Sequence, residues 1–113
     1  MHELALTESI VEMIEEESRK QGFGKVRVVR LEIGALSHVE PEAIRFCFEA
    51  VSRGAVVEGA KLEIIAVPGA GWCFDCNKNV PLAERFGPCP DCGGHHVQVT
   101  GGEDMRVKEL EVD

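Results

Sequence analysis

Apolar side chains recur at intervals of three and four near the start of the chain, at Leu4, Leu6, Ile10, Val11, Met13 and Ile14, while Glu8, Glu12, Glu15 and Glu16 fall largely on the other side. That period predicts an amphipathic helix from Glu3 to Gln21, stopped at Gly22. The acidic run Glu15-Glu16-Glu17 reads as its solvated face. From Lys25 to Gly34 the period shortens to two. Val29, Leu31 and Ile33 alternate with Arg30 and Glu32, which predicts a strand with one covered face. A loop through Ser37 and His38 then reaches Pro41, whose fixed φ suits the first residue of a second helix. Ile44, Cys47, Phe48 and Val51 share one stripe of that helix, which should end at Gly54. Glu40 and Glu42 favour its amino-terminal end electrostatically. Lys61 to Val67 and Met105 to Val112 read as two further strands. The fold class expected is α+β, with two helices on one face of a three-stranded sheet.

Between the last two strands the pattern breaks. Pro68-Gly69-Ala70-Gly71 and Gly101-Gly102 bracket a segment with few large apolar residues and look like hinges. The expected division is a main domain of residues 1–68 plus 101–113 and a small inserted module of residues 69–100. The module holds four of the five cysteines, as Cys73-Phe74-Asp75-Cys76 and Cys89-Pro90-Asp91-Cys92, twelve residues apart. Two residues between thiols let both turn toward one point, so two such knuckles can surround one ion with four sulfurs. Zn(II) favours that closed tetrahedral site. A rubredoxin-like iron site uses the same ligands. Two disulfides would leave Cys47 over, and a redox-active pair would need a helix where Asn77 to Pro81 does not look helical. With so little apolar burial the ion must supply much of the module's folding free energy, on the order of 10 kcal/mol. Trp72 and Phe74 are expected to shield the sulfurs.

Composition narrows the function classes. Of 113 residues, 20 are acidic and 12 basic, for a formal net charge of −8. An acidic chain without a basic stripe is repelled by phosphate, so nucleic acid is not an expected partner. No segment approaches the roughly 20 apolar residues of a membrane span, and the start is not a secretory one. A cytoplasmic location with reduced thiols is expected. No catalytic constellation stands out.

The start of the chain has chemistry of its own. A Met1 amine one residue from the His2 imidazole can form, with intervening backbone amides, fused chelate rings around one ion. Ni(II) and Cu(II) favour such a planar nitrogen field. Amine and imidazole must both lose protons, so binding weakens as pH falls. An exposed, incidental histidine is the competing reading of His2. Cys47 reads as core. His95 and His96, beside the second knuckle, either supplement a ligand set or lie on a solvated turn.

Together, Met1-His2-Glu3-Leu4, the segment Leu31-Glu32-Ile33-Gly34-Ala35-Leu36-Ser37, the helix segment Arg45-Phe46-Cys47-Phe48 and the two knuckles resemble the hydrogenase maturation nickel chaperones HypA and HybF over essentially the whole chain. The resemblance implies a non-catalytic protein with Ni(II) at Met1, His2 and Glu3 and structural Zn(II) at Cys73, Cys76, Cys89 and Cys92. It implies delivery toward the [NiFe]-hydrogenase large subunit with a HypB-like GTPase, in some organisms also toward urease and its accessory proteins, by a monomer or homodimer. The alternative is a zinc-ribbon module that binds protein partners without nickel transfer.

Overall fold

A computed structural model of the chain describes residues 2–113. Two helices and six strands follow in the order α1 (His2–Gln21), β1 (Val26–Gly34), α2 (Pro41–Val51), β2 (Lys61–Val67), β3 (Gly69–Cys73), β4 (Lys78–Leu82), β5 (Val97–Gly101) and β6 (Met105–Val112). They form two three-stranded sheets, of order β2-β1-β6 and β4-β3-β5. The expected α+β class, two helices with a three-stranded sheet and an inserted zinc-ribbon-like module, is what the chain adopts, and the cysteine-bearing segment adds a second three-stranded sheet.

The punctuating residues act as their chemistry demands. Gly22 takes a φ of 78° and gives its amide to the Ser18 carbonyl at 2.8 Å, ending α1. Pro41 opens α2, but that helix stops three residues short of Gly54. Ser52 caps it instead, its amide reaching the Phe48 carbonyl at 2.9 Å.

The chain divides into two compact units. The first comprises Met1–Leu31, Val39–Ile64 and Val107–Asp113, the second Glu32–His38 and Ile65–Arg106. In the first, α1 and α2 pack together. Ile10, Val11 and Ile14 of α1, Ile44, Cys47 and Phe48 of α2, and Val26, Val29 and Leu31 of β1 are buried. Cys47 is therefore a core residue. Met13 lies off the stripe, half exposed. Glu15 is not merely solvated, since its carboxylate accepts the Val56 amide at 2.7 Å.

The second unit is built on β3, paired antiparallel with β4 from Gly69↔Leu82 to Cys73↔Lys78 and with β5 from Ala70↔Gly101 to Cys73↔Val97. Its core is Leu36, Cys73, Val80, Leu82 and Cys89, with Cys76, Val97 and Val99 packed against it. This explains why the unit reaches beyond residues 69–100. Leu36 is only 2% exposed, and its amide bonds the Gly102 carbonyl at 2.7 Å. The bracketing glycines answer to crowding here rather than to hinge freedom. A Cβ on Gly34 would strike the Gly102 carbonyl, and one on Gly102, at φ 77°, would strike that of Pro68.

Candidate metal centres

Each knuckle is a short turn that aims two sulfurs inward. In the first, the Asn77 amide bonds the Cys73 carbonyl at 2.8 Å and the Cys76 amide points at the Cys73 sulfur at 3.4 Å. In the second, the Gly93 amide bonds the Cys89 carbonyl at 2.8 Å and the Asp91 amide points at the Cys89 sulfur at 3.4 Å. Asn77 and Gly93 both have positive φ, 56° and 73°. The two loops are thus near copies, and their amides are aimed to stabilise thiolate charge.

All four Sγ atoms lie within 4.8 Å of one another, with Cys73 to Cys92 at 3.7 Å and Cys76 to Cys89 at 3.9 Å. A disulfide would need about 2.05 Å, so no pair is bonded. Ligand bonds of about 2.3 Å in a regular tetrahedron give sulfur edges of about 3.8 Å, which these separations approach. The donor set therefore fits a tetrahedral thiolate-bound ion, whose bonds would cross-link the two knuckles.

The electrostatics agree with such an ion. The Cys76 thiol is pushed up to about 12, first by the neighbouring Cys92 sulfur and then by burial. Burial pushes the Cys89 thiol up too, but the amides of Cys92 and Asp91 pull it down to about 7. The Gly94 amide and the Cys76 sulfur pull Cys92 down, but Cys73, burial and Cys89 together outweigh them and leave it raised. Four crowded sulfurs cannot all ionise alone; a divalent cation is what lets them do so.

Sequence reasoning missed Lys78. It forms an ion pair with Asp91 of the second knuckle, and its ammonium is raised by Asp91 first and then by the charges of Cys76 and Cys89. A basic residue two places after a knuckle was the available cue. The shielding expected of Trp72 is not found. Successive strand residues face opposite sides, so Trp72 points away from the face that Cys73 occupies. Phe74 is 49% exposed and its ring meets that of His96 at 5.0 Å. Leu36, Val80 and Leu82 cover the sulfurs instead. His95 and His96 are exposed and lie outside the sulfur cluster; His96 Nδ1 is 3.7 Å from Asp75.

At the other candidate centre, Met1 lies outside the described residues. His2 is exposed at the start of α1, with Nδ1 3.3 Å from the Glu3 carboxylate. The Glu3 carboxyl is held below its ordinary range, chiefly by its own backbone amide and, against burial, also by the Glu40 amide and His2. First-turn amides of a helix have no intrahelical acceptor, so the backbone nitrogens of His2 and Glu3 carry no ladder bond.

Comparison with known proteins places this geometry. The profile of the family described as hydrogenase/urease nickel incorporation, metallochaperone, hypA matches residues 1–112. Hydrogenase maturation factor HypA of Rhodopseudomonas palustris (strain BisA53) is 62% identical over 113 residues, 100% of both chains. Hydrogenase maturation factor HypA 2 of Bradyrhizobium diazoefficiens is 61% identical over the same span, again 100% of both chains. The solution structure of the Ni metallochaperone HypA from Helicobacter pylori superposes with a TM-score of 0.71 at 28% identity, covering 97% of this chain and 96% of that one. The chain belongs to the HypA family of nickel-incorporation metallochaperones in hydrogenase maturation, and it is a maturation factor rather than an enzyme.

Proposed function

We propose that this chain carries Ni(II) on a site made by the Met1 amine, the His2 imidazole, the intervening backbone amides and Glu3, and passes it to the [NiFe]-hydrogenase large subunit together with a HypB-like GTPase. Delivery toward urease through its accessory proteins belongs to the same reading. So does work in the cytoplasm as a monomer or homodimer, with residues 69–100 as the Zn(II)-binding module and residues 1–68 plus 101–113 as the nickel-binding domain. The observation that carries the proposal is the exposed His2 at the start of α1, its imidazole 3.3 Å from the Glu3 carboxylate. Backbone nitrogens that owe no hydrogen bond to the helix can give up their protons to a planar nickel complex. The positive end of the helix dipole opposes a cation by roughly 0.3–1 kcal/mol, which favours a site that also releases its ion. Terminal residues fray easily, so a partner can rearrange them during transfer.

The test is Ni(II) titration of untagged protein and of His2→Ala, with zinc content measured in parallel. Near-stoichiometric nickel binding that disappears in His2→Ala while zinc stays is the expected result. Unchanged nickel uptake in the variant, or after acetylation of the terminal nitrogen, would leave the zinc-ribbon interaction module as the better account.

A further inference from the structure

The four sulfurs are not equally protected. Cys73 is 0% and Cys89 1% exposed, Cys76 is partly buried, and Cys92 is exposed. Glycine keeps that opening clear. Gly93 and Gly94 follow Cys92, and a Cβ added at Gly94 would sit 3.5 Å from the Cys92 sulfur and 3.3 Å from the Asp75 carboxylate. The Cys73 sulfur lies 3.7 Å from that of Cys92, across the site rather than within the same knuckle. We propose that Cys92 is the site at which hydrogen peroxide oxidises this protein, and that the resulting oxidation joins Cys92 to Cys73 and opens the metal site.

In a loaded four-sulfur site every cysteine is already a thiolate, so access rather than acidity decides which reacts first. The Cys92 thiolate attacks one peroxide oxygen; the O–O bond breaks, leaving a sulfenic acid on Cys92 and, after protonation, one molecule of water. The Cys73 thiolate then attacks that sulfur; an S–S bond forms, the S–O bond breaks, and the hydroxide leaves with a proton as a second water. Two thiolates are oxidised by two electrons and the peroxide is reduced. Cys92 and Cys73, once joined, are no longer anionic donors, and two remaining sulfurs cannot close a tetrahedral site. Because Cys73 ends β3 and Cys92 ends the second knuckle, the new bond ties the turn to the sheet while the ion is free to leave.

The inference rests on the zinc reading of the cysteine site and is independent of the nickel reading. The experiment uses the untagged, full-length, zinc-loaded chain. Zinc content is measured first, hydrogen peroxide is added in graded equivalents, zinc release is followed with a chromophoric chelator, and linked peptides are mapped by non-reducing mass spectrometry. One zinc per chain at the start, release in step with loss of the Cys92 thiol, and a first linkage of Cys73 to Cys92 are expected. In Gly94→Ala, which keeps all four ligands, release slows by about tenfold if access controls the reaction. One zinc per chain with a first linkage inside a knuckle, or with Cys73 or Cys89 lost before Cys92, overturns this inference alone. A chain that takes up no zinc and whose four thiols react alike overturns the site reading beneath it.

Discussion

Asn77 holds its backbone at φ 56°, the left-handed region that Gly93 occupies at 73° in the other knuckle, and both donate their amides at 2.8 Å to the carbonyl of a cysteine four residues earlier. The two turns demand the same conformation, which glycine adopts without strain and which asparagine tolerates better than most other residues.

Asn77→Gly is therefore expected to leave zinc affinity and stability within about 0.5 kcal/mol of wild type, whereas Asn77→Val should cost about 1–3 kcal/mol through backbone strain. Competition with a zinc chelator, read as the free-energy difference between the variants, checks the contrast.

Arg30 of β1 engages Glu63 at 2.8 Å, Glu109 at 3.5 Å and Glu111, gathering three carboxylates from the flanking strands β2 and β6 around one guanidinium. The Glu63 carboxyl lies below its ordinary value of 4.5, chiefly through its hydrogen bond to Arg30 and against the effect of burial. A depressed folded-state value means the contribution is present above pH 4.5 and is lost as pH falls through the lower, folded value. Arg30→Gln should lower the thermal midpoint at pH 7 and narrow its difference from wild type as pH drops below 4. Melting curves across pH 3 to 7 decide it, and a difference that widens on acidification contradicts it.

Removing the metal should unfold one part of the molecule before the other. Among the described residues, the cluster around the cysteines has Leu36, Val80 and Leu82 as its buried aliphatic side chains. Chelator treatment is expected to abolish amide-exchange protection in β3, β4 and β5 while the helical signal of α1 and α2 persists. Simultaneous loss of both would contradict it.

Cys47 is 7% exposed within the core of the first unit. Cys47→Ala should retain the full complement of metal with a loss of roughly 1 kcal/mol, and Cys47→Ser should lose about 1–3 kcal/mol by burying a hydroxyl. Metal analysis together with denaturant unfolding separates the two effects.

The main elements were legible because their signals are local. The three-four spacing of Ile10, Val11 and Ile14, the alternation of Val29, Leu31 and Ile33, and the breakers Gly22 and Pro41 each act within a few residues. The cysteine cluster was legible for the same reason, since a two-residue gap constrains both thiols. What escaped depends on pairing over distance. Gly69–Cys73 has little strand propensity of its own and becomes the middle strand only because β4 and β5 flank it. The inward turn of Leu36, the ion pair of Lys78 with Asp91 and the reach of Glu3 to the Glu40 amide join residues distant along the chain. The side of β3 on which Trp72 falls follows from register, which spacing alone does not supply.

The crowding of Gly34, Gly69 and Gly102 has a consequence for anyone who alters this protein. Where main chains press together without side-chain volume, even a methyl group must displace the backbone, so a saturation scan would return an island of intolerance at these three positions although none of them offers a ligand atom. Labels, fusion points and stabilising alanines belong elsewhere; Gly24, with open space around its α-carbon, is a position that can receive one.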